Sequence, residues 1–114
     1  MGPFLQVGGV WDIVQSNGFR VRVDIVQAGD QLSASASHSG GKVLSQEATG
    51  FVRGPRMELT ITWRNGTQGE YVGDLTHGHF TPPPIGFLRG TTRDLNNPGS
   101  QATWESDGRT FQMA

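Results

Sequence analysis

Apolar and polar residues alternate one by one along much of this chain. Phe19, Val21, Val23 and Ile25 share one parity, with Arg20, Arg22 and Asp24 on the other. Met57, Leu59, Ile61 and Trp63 alternate with Glu58, Thr60, Thr62 and Arg64, and Leu32, Ala34 and Ala36 alternate with Ser33, Ser35 and Ser37. A period of two marks strands with one buried face, and no window of about 11 residues carries a convincing helical period. Turn signals separate these runs. Asn17-Gly18 and Asn65-Gly66 predict two-residue type I′ hairpins, while Gly29-Asp30, Gly40-Gly41, Gly54-Pro55 and Asp107-Gly108 mark further breaks. The predicted strands are 9–16, 19–27, 31–38, 43–52, 56–63, 69–75, 85–93 and 101–113, the last breaking at Asp107-Gly108. Residues 1–8 read as an N-terminal extension and 9–114 as a single domain.

Eight antiparallel strands with short loops must dispose of their edges. Closure into an up-and-down barrel removes them, which makes an all-β barrel the expected fold and a sandwich the runner-up. Only Thr76–Pro84, with His77-Gly78-His79 and Pro82-Pro83-Pro84, reads as a longer loop. Glycine, 17 of 114 residues, exceeds the background of roughly 7%, in keeping with many tight turns. Nine basic against ten acidic residues leave no basic stripe for nucleic acid. Apolar runs are too short to span a membrane, and the N-terminus carries no recognisable secretion signal. Without cysteine there is no disulfide and no thiolate.

Gly9-Val10-Trp11 opens the first strand as the Gly-x-Trp of the calycins does. Gly29-Asp30-Gln31-Leu32-Ser33, Trp63-Arg64-Asn65, Gly69-Glu70-Tyr71-Val72-Gly73, Gly90-Thr91-Thr92, Ala102-Thr103-Trp104 and Gly108-Arg109-Thr110-Phe111 follow in an order similar to the avidin/streptavidin family. The longer lipocalins are the looser match. This resemblance implies an eight-stranded barrel that binds a small, ring-shaped ligand and assembles as a dimer or tetramer, with Trp104 at the place of the Trp that covers a neighbour's site. A half-exposed Trp at a barrel mouth would also anchor an interface on chemical grounds alone. The polar places that hold the ureido ring of biotin read Ile13, Ala36 and Arg109 here, so tight biotin binding is not expected.

Trp63, Tyr71, Phe87, Trp104 and Phe111 form the expected aromatic set, either around a ligand or filling the barrel. Arg109 either stacks on Trp11 or meets an anionic ligand inside. If Phe87 faces inward, period two turns Arg89 inward as well; a bulge at Gly86 or Gly90 would leave it in solvent. The expected ligand-binding residues are therefore Trp63, Tyr71, Phe87, Arg89, Trp104 and Arg109. No catalytic residue can be named. His77-x-His79 and His38 lack the acidic or thiolate partners of a metal site, so neither metal nor cofactor is expected. The serines form no nucleophile elbow, and no glycine motif has phosphate-loop spacing. Three functions follow as expectations: a small-molecule binder, a lipocalin-like cyclase or isomerase that works by orientation, or a scaffold with a filled barrel. A cavity below about 100 Å³ would favour the scaffold.

Overall fold

The computed structural model describes residues 5–77 and 85–113. Among the described residues ten strands appear in chain order: β1 (Leu5–Gln6), β2 (Gly9–Gln15), β3 (Arg20–Ala28), β4 (Gln31–His38), β5 (Val43–Arg53), β6 (Arg56–Trp63), β7 (Gln68–His77), β8 (Ile85–Asp94), β9 (Asn97–Asp107) and β10 (Phe111–Met113). Strands β2 to β9 pair antiparallel in sequence order, and β9 returns to β2, which closes an eight-stranded up-and-down barrel. The described residues contain no helix. The three alternating runs behave as read: Val21, Val23, Ile25, Met57, Leu59 and Ile61 point into the core, while Arg20, Arg22 and Asp24 face out.

The two Asn-Gly turns differ from expectation. Gly18 N–H donates to Gln15 O and Gln15 N–H to Phe19 O, and Gly66 and Trp63 repeat the pattern with Trp63 O and Thr67 O. Only the glycine of each pair has positive φ, 93° at Gly18 and 88° at Gly66. These are three-residue loops, a type I turn followed by a bulge at glycine, which need one left-handed residue rather than two. The asparagine then acts through its side chain. Asn17 Oδ1 accepts from Phe19 N–H and Asn65 Oδ1 from Thr67 N–H. Successive positive φ values occur instead at Ser39 (57°), Gly40 (69°) and Gly41 (89°), where Gly41 N–H donates to His38 O.

Strand parity in an up-and-down barrel places alternate turns at the same end. The turns after β2, β4, β6 and β8 surround one end, the mouth, and those after β3 and β5 lie at the other. That other end is closed by the segment expected to be a mere extension. Leu5 and Val7 are completely buried. Leu5 N–H donates to Gly54 O, Gln27 Nε2 donates to Leu5 O, and Trp11 Nε1 donates to Val7 O. Strand β1 pairs with β10, which pairs with β8, so the plug is tied to the wall. The last long strand does break at Asp107-Gly108: β9 pairs with β2 from Asp12 to Gln15, and beyond the break β10 runs along β8 alone. Of the segment read as a longer loop, Thr76 and His77 belong to β7, and 78–84 lie outside the described residues.

Above the plug the barrel is filled by aromatics. Phe111 packs edge-on against Trp11 at 4.9 Å between centroids, Trp11 stacks on Trp104 at 6.4 Å, and Tyr71 meets Trp104 edge-on at 6.4 Å. Small residues across the lumen make the space. A Cβ at Gly73 would lie 2.5 Å from Cζ2 of Trp104.

Candidate functional site

The aromatic filling stops at Tyr71, and between it and the mouth a cavity of about 230 Å³ remains. Tyr71, Gln15, Trp63, His38, Phe19 and Thr92 carry its character. Each arrives by strand parity. Gln15 shares the inward parity of Trp11 and Ile13, Trp63 closes the inward row of β6, and Tyr71 lies on β7 between Gly69 and Gly73. The side wall is aromatic: the His38 ring stands edge-on to Trp63 at 4.7 Å and to Phe19 at 5.7 Å, and Phe19 is half exposed at the rim. His38 Nδ1 also lies 2.8 Å from Ser39 Oγ.

The floor is polar. Tyr71 on β7 donates its hydroxyl proton across the lumen to Gln15 Oε1 on β2, at 2.9 Å. Burial pushes the phenol up to about 12, against a smaller opposing effect of its hydrogen bond with Thr92. Such a group is a neutral donor at physiological pH, not a base. Gln15 Nε2 in turn reaches Asn17 Oδ1 at 3.3 Å. The cavity is thus an aromatic slot over a hydrogen-bonded floor, suited to a flat molecule with a polar edge.

Of the residues expected to bind ligand, only Trp63 and Tyr71 line this cavity. Trp104 lies beneath Tyr71, 1% exposed, with its indole N–H donated to Thr91 O at 3.0 Å. It is part of the filling, and the expected dimer or tetramer loses its exposed anchor. Phe87 and Arg89 point away from the lumen, because their neighbour Leu88 is the fully buried residue. Phase is the physical reason: Phe87 and Leu88 are both apolar, so either parity satisfies the pattern, and the pairing with β7 and β9 selects Leu88. Arg89 lies over the outer face of Phe87 at 5.4 Å and pairs with Glu105 at 2.7 Å. No bulge at Gly86 or Gly90 is required. Arg109 sits at the closed end, where it donates to Gly8 O and Thr110 O. Its guanidinium lies 4.7 Å from the Phe111 ring centroid, not on Trp11. Phe111, too, belongs to the filling.

Gln15, His38, Phe19, Asn17 and Thr92 were missed. Period two from Trp11 through Ile13 would have placed Gln15 inward, and its polarity at an inward position was the available signal. His38 carries no such signal, because its role depends on the ring of Trp63 from another hairpin.

On the outer wall Asp12 stands nearly buried between Arg22 (Nε–Oδ1 3.0 Å) and Arg20 (Nη1–Oδ2 2.7 Å), and Arg20 also reaches Asp107 at 2.9 Å. Asp12 and Asp107 face each other across β2 and β9, so Arg20 bridges two like charges. Hydrogen bonding from Arg22 chiefly, opposed by burial and aided by Arg20, holds the Asp12 carboxyl below its ordinary range. Among the described residues no three His, Asp or Glu side chains are grouped to hold a metal ion. The fold defines a class, the closed eight-stranded antiparallel barrel, here with a cavity at one mouth. No protein-family model matches the chain, and no curated protein matches it.

Proposed function

We propose that this protein binds a small, flat, largely apolar molecule non-covalently in the mouth of its barrel, in the manner of avidin- and lipocalin-like calycins. One observation carries the reading: the barrel is packed from its plug to Tyr71, yet a cavity of about 230 Å³ is left at the mouth. A barrel serving only as a scaffold would gain from filling that space, at roughly 25 cal/mol per Å² of apolar surface removed from water. The volume corresponds to about eight waters at ~30 Å³ each. It is smaller than the usual range of roughly 300–1,000 Å³ for drug-sized ligands, so the ligand is of the size of one ring system. Ile13 and Ala36, where avidins carry ureido-binding polar groups, are buried and apolar, and Arg109 is at the opposite end. Biotin is therefore expected to bind weakly or not at all, since each missing hydrogen bond forfeits roughly 1–3 kcal/mol.

The test is a fragment screen by heteronuclear NMR on the intact protein, followed through the Trp63 indole N–H, with biotin as one member. Single-ring compounds should shift that signal. In Ala102→Phe, whose added ring occupies the cavity from β9, the same compounds should leave it unmoved. Compounds that bind only elsewhere, or biotin held at nanomolar affinity, would overturn the reading. Chemical turnover of a bound compound would move the protein to the cyclase or isomerase alternative.

A further inference from the structure

The hydrogen bonds at the floor of the mouth have a direction, and a single backbone amide sets it. Phe19 N–H donates to Asn17 Oδ1 at 3.2 Å, and a backbone N–H can only donate. The Asn17 amide must therefore turn its oxygen to the loop and its Nδ2 away from it. Gln15 meets the same Oδ1 at 3.3 Å, so it must present Nε2 there. Its Oε1 is then the atom facing Tyr71, and the phenol has to donate. With its proton given to Gln15, the Tyr71 oxygen is left as an acceptor. The order Tyr71 to Gln15 to Asn17 cannot be reversed without breaking the turn amide.

This order engages Asn17 Oδ1 twice and leaves amide donors without a protein acceptor among the described residues. One Gln15 Nε2 proton is engaged by Asn17, and the second has no acceptor among the described residues. Neither proton of Asn17 Nδ2 has one. Both residues line the cavity. On the β8 side the mouth also carries Asp94, whose Oδ1 accepts from Asn96 N–H at 2.8 Å; it is the group that would favour the opposite ligand polarity.

We propose that the ligand is a small planar ring whose polar edge is an sp² oxygen acceptor, received by Gln15 Nε2 and Asn17 Nδ2, with the ring against Trp63. The proposal rests on the mouth being the binding site. It adds the chemical class of the ligand and makes Gln15 and Asn17 the specificity-determining residues. A ring whose edge only donates meets an Asn17 Oδ1 that already accepts two hydrogen bonds, and it displaces water from the two amide donors without replacing it.

Three probes of similar size separate the possibilities: acetophenone with one carbonyl acceptor, aniline with N–H donors, and toluene with neither. Each is titrated into 15N-labelled protein while the Trp63 indole and the Gln15 and Asn17 side-chain amides are followed. Acetophenone should bind tightest and shift both amides. Asn17→Asp keeps an oxygen for the Phe19 N–H and is tolerated before Gly18, but it replaces the free donor with an acceptor. In that variant acetophenone should weaken at least about tenfold, and aniline should overtake it. Aniline or toluene binding the wild type as well as acetophenone, with the Trp63 signal moving, would overturn the polarity and leave the site standing. Unchanged acetophenone affinity in Asn17→Asp would do the same. If none of the three moves the Trp63 indole, the mouth reading itself fails and the ligand class with it.

Discussion

Alanine at position 73 would place its Cβ 2.5 Å from Cζ2 and 2.7 Å from Cη2 of Trp104, and 3.3 Å from the Arg89 carbonyl oxygen. Trp104 has nowhere to retreat. Trp11 is stacked on one side, Tyr71 stands on another, and the indole N–H is tied to Thr91 O. Forcing one methyl into so filled a space costs roughly 1–3 kcal/mol. Gly→Ala also restricts the unfolded chain, which offsets about 0.4–1 kcal/mol. The net destabilisation expected for Gly73→Ala is about 1–2 kcal/mol, a fall in Tm on the order of 5–10 °C for a domain of this size. Urea titration followed by tryptophan fluorescence reads it as a shift in midpoint at unchanged slope. The decisive comparison is made in a second background. Trp104→Phe removes the two atoms that clash, at a cost of about 2 kcal/mol for the cavity and the lost N–H bond. There Gly73→Ala should be neutral or stabilising, a coupling of at least about 1 kcal/mol. Equal destabilisation in both backgrounds, or none in the first, would refute the view that Gly73 exists to admit the indole.

Three further outcomes are expected. Tyr71 is the single tyrosine of the chain, so phenolate absorbance at alkaline pH reports it alone; with the phenol pushed up to about 12, stability it contributes is present below about pH 10 and lost as pH rises through the folded value, and a midpoint near 10 in the folded protein would contradict its burial. Asp12→Asn should destabilise at neutral pH, and because the native carboxyl lies below its ordinary range, the gap to wild type should persist above about pH 4 and close as pH falls further; a gap that is independent of pH between neutrality and pH 2 would assign the effect to packing. Leu5→Ala should cost about 2–5 kcal/mol by chemical denaturation, as for a fully buried core leucine, whereas an extension outside the fold would tolerate it within about 0.5 kcal/mol.

What the chain determined by itself is whatever depends on neighbouring residues. Period two in 19–25, 32–37 and 57–63 established which side chains enter the core, and the glycine turns set the strand count that makes closure the way to remove edges. The break at Asp107-Gly108 was legible for the same reason. What only the tertiary structure decided are the relations across the lumen. Phe87 and Leu88 are both apolar, and pairing of β8 with its two neighbours chose which one enters. The plug at Leu5 and Val7 has meaning only once the barrel has an end to close. Trp63 and His38 meet from separate hairpins, and Tyr71 reaches Gln15 from 56 residues away. Alternation specifies a face, but the partner found on that face is set by the radius and stagger at which eight strands close.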